Sequence, residues 1–108
     1  MHINPEGKIS VPTPGTPVPL STDPAATASK LFFQVAPGLT GKTYVGKPGM
    51  AKGTLDGVAR VLSSNTSSGF FDTFEVESQD GENTIRLAEY AVDADVAGEG
   101  LLVTFWTE

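Results

Sequence analysis

Cysteine is absent from this 108-residue chain, so it has no disulfide framework, thiolate metal site or cysteine nucleophile. The only histidine is His2. Serine–histidine catalysis therefore lacks a positioned base, and a zinc site lacks ligands. No apolar run is long enough to cross a membrane, and MHINPEGKISVPTPG lacks the apolar stretch of a signal peptide. The expectation is a chain made in a cytoplasm, with no membrane partner and no cofactor. Basic residues are also scarce: seven Lys and Arg stand against 13 Asp and Glu, a net charge of −6. Residues 1–71 hold six basic and three acidic side chains, and residues 72–108 one basic and ten acidic, so +3 and −9 give the −6. A nucleic-acid binder needs a concentrated basic face, so no nucleic-acid partner is expected. The acidic third reads as a solvated surface that favours solubility.

Glycine (12) and proline (8) are plentiful, which points to many turns and few long helices. A single domain of this size buries about two-thirds of its unfolded surface and gains from oligomerisation. Six of the eight prolines lie in residues 1–24. Proline fixes φ and removes an N–H donor, so VPTPGTPVPLSTDP should stay extended and outside any sheet. The stretch reads as a linker or as an arm lying on a neighbouring subunit. The interspersed Val11, Val18 and Leu20 favour the arm. The expected organisation is an arm over residues 1–24 and one β domain over residues 25–108.

From residue 28 the pattern alternates as strands do. ASKLFFQV (28–35) puts Leu31, Phe33 and Val35 on one face, and Phe32 on the other suggests that this second face is also partly covered. KTYVG (42–46), DGVARVL (56–62) and FDTFEVES (71–78) follow, the last with Phe74 and Val76 inward and Thr73, Glu75 and Glu77 outward. QDGEN (79–83) is a turn. GLLVTFW (100–106) is apolar on both faces, which suits a central strand or one covered by a subunit neighbour. Residues 83–98 read as a short helix or as a strand, IRL, followed by a long loop; the second is taken. Short strands between Gly, Pro and Asn turns give the fold class: all-β, a compact sandwich or small jelly-roll-like barrel with an extended Pro-rich arm.

Three stretches imitate chemistry. APGLTGKT (36–43) fits the relaxed phosphate-loop pattern, but that loop needs a helix after Lys-Thr. Tyr44, Val45, Gly46 and Pro48 forbid one, so Pro37-Gly38 reads as a turn and Lys42 as a surface charge open to a partner. DADVAG (93–98) begins like a calcium loop, with Asp93, Asp95 and Gly98 in place, but Ala97 and Thr104 stand where oxygen ligands belong. Asp93, Asp95 and Glu99 read as a solvated acidic turn, with a weak cation site in an irregular loop as the alternative. Glu75 and Glu77 share a strand face, where solvation is the ordinary role of paired acids. Asn65-Thr66-Ser67 spells a glycosylation acceptor without a secretion signal. Phe70, Phe71 and Trp106 form either a ligand platform or core.

LFFQVAPGLTGKTYVG, GTLDGVARVL and FDTFEVESQDGENTIRLAEYAVDADVAGEGLLVTFW together resemble small virion structural proteins of tailed bacteriophages, above all those that decorate or cement a capsid. The similarity covers residues 28–106. It implies a compact, non-enzymatic β domain bound outside the shell as a homotrimer, with the major capsid protein as partner and N-terminal arms reaching neighbours. The candidate contacts are Val11, Pro12, Pro14, Pro17, Val18, Pro19, Leu20 and Lys42. The alternatives are a tail or head–tail component, a carbohydrate- or receptor-binding β module, and a small barrel enzyme.

Overall fold

The computed structural model describes residues 2–65 and 70–108, and of residues 64, 65, 70 and 71 the backbone alone. The strands are β1 His2–Ser10, β2 Val18–Pro19, β3 Thr27–Ala28, β4 Lys30–Val35, β5 Thr43–Ala51, β6 Asp56–Leu62, β7 Ser64–Asn65, β8 Phe70–Phe71, β9 Thr73–Glu77, β10 Ile85–Arg86, β11 Ala91–Ala94 and β12 Gly100–Thr107. Among the described residues the only helical element is a 3-10 turn, Leu87–Glu89. Two four-stranded sheets form, ordered β1-β12-β4-β9 and β2-β11-β5-β6, beside the short pairs β3–β10 and β7–β8. Among the described residues every pairing is antiparallel. The chain is thus all-β, as its alternation implies.

Both four-stranded sheets contribute to one apolar core. Leu31, Phe33 and Val35 of β4 and Leu101 and Val103 of β12 meet Val45 of β5, Leu62 of β6, and Val92 and Ala94 of β11. β4 follows the pleat, alternating buried and half-buried residues along its length. Phe33 stands opposite Phe74 of β9, with ring centroids 6.0 Å apart and planes inclined by 23°. Burying a side chain of this size stabilises the fold by about 1.5–3 kcal/mol.

The N-terminal segment does not stand apart as an arm. β1 lines the edge of the first sheet, pairing with β12 from His2–Thr107 to Ser10–Gly100. Val11 is fully buried in the core. Its N–H donates to the Glu99 carbonyl (2.8 Å), and its carbonyl accepts from the Gly98 N–H (2.8 Å). The prolines permit this because they avoid donor positions. Pro5 lies in an edge strand, Pro12, Pro14 and Pro17 lie in the crossing between sheets, and Pro19 is in edge strand β2. The register of β1 shifts between Pro5 and Gly7, leaving Glu6 as an extra residue.

Residues 83–98 also differ from a strand and a long loop. Of IRL, Ile85 and Arg86 pair with β3, and where the loop was expected Ala91–Ala94 form an interior strand, paired with β2 and β5, whose four residues are all buried. Alternation cannot reveal such a strand, because both of its faces are covered. β5 runs on to Ala51 through Pro48, where its pairing with β6 is irregular. The turn at 79–83 is present, with Gly81 at φ 73° and the Glu82 N–H donating to Asp80 Oδ1 (3.0 Å).

Gly100 marks the tightest passage between β1 and β12. A Cβ there would overlap the Ile9 carbonyl oxygen and stand 2.7 Å from its carbon. We expect Gly100→Ala to lower stability by about 2–3 kcal/mol, the cost of overpacking against rigid backbone. Chemical denaturation would measure this, and hydrogen exchange should show the loss concentrated in β1.

Candidate functional site

The loop that spells a phosphate site does bind an anion, and the anion is its own. Pro37-Gly38 turns the chain, with Gly38 at φ 82°, and Thr43 opens strand β5 instead of a helix. The Thr40 N–H (2.9 Å) and hydroxyl (3.0 Å) donate to Glu99 Oε2, and the Gly41 N–H donates to Oε1 (3.0 Å). These hydrogen bonds, led by that of the Thr40 backbone, hold the Glu99 carboxyl below its usual pKa. Space also fixes the arrangement: a Cβ on Gly41 would lie 2.9 Å from Val96 Cγ2. Lys42 is exposed, and its carbonyl accepts the Asp95 N–H (3.0 Å).

The three acids of the calcium-like segment point to three different partners. Asp93 is fully buried, and its Oδ1 accepts from the Gly15 N–H (3.0 Å) and the Ala94 N–H (2.8 Å). Among the described residues, its Oδ2 has no hydrogen-bond partner. Asp95 Oδ1 accepts from the Tyr44 hydroxyl (2.9 Å) and Lys52 Nζ (2.9 Å). The Lys52 hydrogen bond lowers the Asp95 pKa, and the same contact raises that of Lys52. Tyr44 is pushed up, first by burial and then by its hydrogen bond to Asp95. Among the described residues, no group of three or more His, Asp or Glu side chains is placed to hold a metal ion.

The expected contact residues are scattered in exposure. Val11 is inside, whereas Pro12 is exposed. Pro14, Pro17, Val18, Pro19 and Leu20 are half-buried, Val18 and Leu20 against the core. Of the Asn65-Thr66-Ser67 acceptor, Thr66, Ser67 and the Asn65 side chain lie outside the described residues, as do the side chains of Phe70 and Phe71.

The outer face of the first sheet is more continuous. Register places Ile3, Trp106, Lys30 and Glu77 in one row across the four strands. Pro5, Thr104, Phe32 and Glu75 form the next, and Lys8, Leu102, Gln34 and Thr73 the third. Phe32, Leu102 and Trp106 are half-buried there, and Ile3 is 61% exposed. Lys30 Nζ lies 5.1 Å from the Trp106 ring centroid and 2.8 Å from Glu75 Oε1. That carboxylate raises the lysine's pKa. The face is a mixed aromatic and aliphatic strip with an ion pair at its side. Its signal in the sequence was the apolar residues on the second face of β4 and β12.

Comparisons with protein-family models, with curated proteins and with solved structures find no match to this chain.

The carboxylates set the acid response. Asp95 and Glu99 have lowered folded pKa values, so their stabilisation is present above the unfolded carboxylate pKa. It is lost as pH falls through the folded values, a window that starts near pH ~4 and extends downward. We expect Glu99→Gln to destabilise the protein by about 1 kcal/mol at neutral pH, given partial solvent screening. The difference from the parent should vanish at the acid end, as read by thermal unfolding across the pH range.

Proposed function

We propose that the chain is a non-enzymatic virion structural protein, a capsid decoration protein of a tailed bacteriophage. It is made in the host cytoplasm, binds the major capsid protein on the shell's outer surface as a homotrimer, and stabilises the shell. In this reading the two four-stranded sheets face each other as a jelly-roll-like sandwich, and the outer face of the first sheet is the docking surface.

The strip of Ile3, Trp106, Phe32 and Leu102 supports this reading most directly. Large apolar groups spread over three neighbouring rows on the outside of a small sheet make a surface suited to a partner. Aromatic anchors of this kind carry much of the energy in protein interfaces. The Lys30–Glu75 pair would form part of a polar rim. The residues between Pro12 and Leu20 would lie at the shell as a surface-bound crossing instead of a free arm. The texture shared with decoration proteins over residues 28–106 points the same way.

The test is occupancy of undecorated capsids. Wild-type protein should saturate them, sediment as a trimer and raise their heat resistance. Trp106→Ala should weaken binding roughly 30-fold, the loss of about 2 kcal/mol expected for a central aromatic anchor. Phe32→Ser should act in the same direction. Full occupancy by both variants would remove this face from the interface. Failure of the parent to bind any shell would end the decoration reading.

A further inference from the structure

Most ionisable groups of the domain already have partners. Lys30 holds Glu75, Lys52 holds Asp95, and Asp93 and Glu99 accept backbone N–H groups. Asp72 caps the Ser63 N–H (3.0 Å). One cleft, of about 360 Å³ on the second sheet, gathers groups without such duties.

The backbone builds this cleft. Val45 pairs with Arg60 and Gly46 with Val58, so Ala59 is an extra residue that bulges edge strand β6. A Cβ on Gly46 would overlap the Gly57 carbonyl oxygen and stand 2.9 Å from Val58 Cα. Gly57 takes φ 74°, a conformation that suits glycine. Gly46 thus lets β6 approach closely, Gly57 makes room for the Lys47 stem, whose Cε lies 2.6 Å from where a Cβ would stand, and the bulge leaves Ala59 exposed beside half-buried Val58 at the opening.

Three polar side chains stand around that surface: Lys47, Glu89 and Tyr90. Lys47 is exposed and belongs to none of the ion pairs among the described residues. Among the described residues Glu89 pairs with Arg86 Nη1 alone, at 3.8 Å, and the Arg86 and Glu89 side chains are about two-thirds exposed (66% and 67%). The Tyr90 backbone is fixed, its N–H on the Leu87 carbonyl (3.2 Å) and its carbonyl under the Leu20 N–H (2.9 Å). Tyr90 packs against the core, and among the described residues its phenol enters no hydrogen bond.

The mixed signs narrow the ligand class. An anion would meet Glu89, and a cation would meet Lys47. A neutral polyol avoids both conflicts, because each hydroxyl accepts from an ammonium or donates to a carboxylate. The ring and the Val58–Ala59 surface suit a C–H face on the same molecule. We propose that this cleft binds a neutral pyranose unit of a saccharide.

Isotope-labelled protein titrated with the methyl glycosides of glucose, galactose and mannose tests this by NMR. At least one should give saturable shifts at the amides of Gly46, Lys47, Gly57 and Tyr90, with a dissociation constant on the order of 1 mM. Lys47→Ala and Glu89→Gln, both surface changes, should each weaken it about tenfold and leave the rest of the spectrum unchanged. Absence of saturable shifts with all three glycosides overturns the proposal. So does binding that neither variant weakens. Glycine betaine moving these amides where the glycosides do not would make the cleft a site for zwitterions and would overturn it equally. Capsid occupancy is a separate readout, so failure of the docking reading leaves this result interpretable.

Discussion

β12 is the strand on which the domain depends. It is paired on both sides along nearly its whole length, with β1 and with β4, and its inner residues Leu101 and Val103 close the core against the second sheet. Without it β1 has no partner, β4 loses one ladder, and the core lies open on one side. The outer residues of the same strand, Leu102, Thr104 and Trp106, form the middle of the candidate docking strip. Stability and recognition thus share a backbone, and each constrains the other through the two-residue pleat.

A chain without cysteine and with a small core needs other ties between distant segments. Here they are carboxylates. Within seven residues, Asp93, Asp95 and Glu99 reach Gly15, Tyr44 with Lys52, and Thr40 with Gly41. Each turn brings N–H or O–H groups that would otherwise be left without acceptors, and each acid brings the acceptor. The acidic C-terminal third is therefore only in part a solvated surface. At these positions the negative charge is structural.

What could be read in the sequence followed the pleat. Leu31, Phe33 and Val35, Phe74 and Val76, and the two-faced GLLVTFW strand were visible because one side chain in two must turn inward. The turn at Pro37-Gly38 was visible because only certain residues permit it. Ala91–Ala94 was hidden because a strand buried on both faces shows no alternation. Residues 2–10 were hidden for a different reason: they were grouped with the proline-dense stretch 11–24 as one arm, although their single proline, Pro5, sits at an edge, where the missing donor costs nothing. The partners of Glu99 and Asp93 lie 58 and 78 positions away, beyond any local pattern. The cleft at Ala59 depends on a bulge, which spacing does not announce.

The pairing of His2 with Thr107 carries a consequence for the timing of folding. β1 is made well before β12 and must wait for it. At roughly 5–20 residues per second, synthesis leaves β1 unpaired for many seconds. An extended strand with its N–H and C=O groups unpaired for that long invites pairing with other chains. Pro5 interrupts its donor row, the extra residue at Glu6 kinks it, and Glu6 and Lys8 add charge. The same features that mark this strand as an edge make it a poor template for other chains until its own sheet exists.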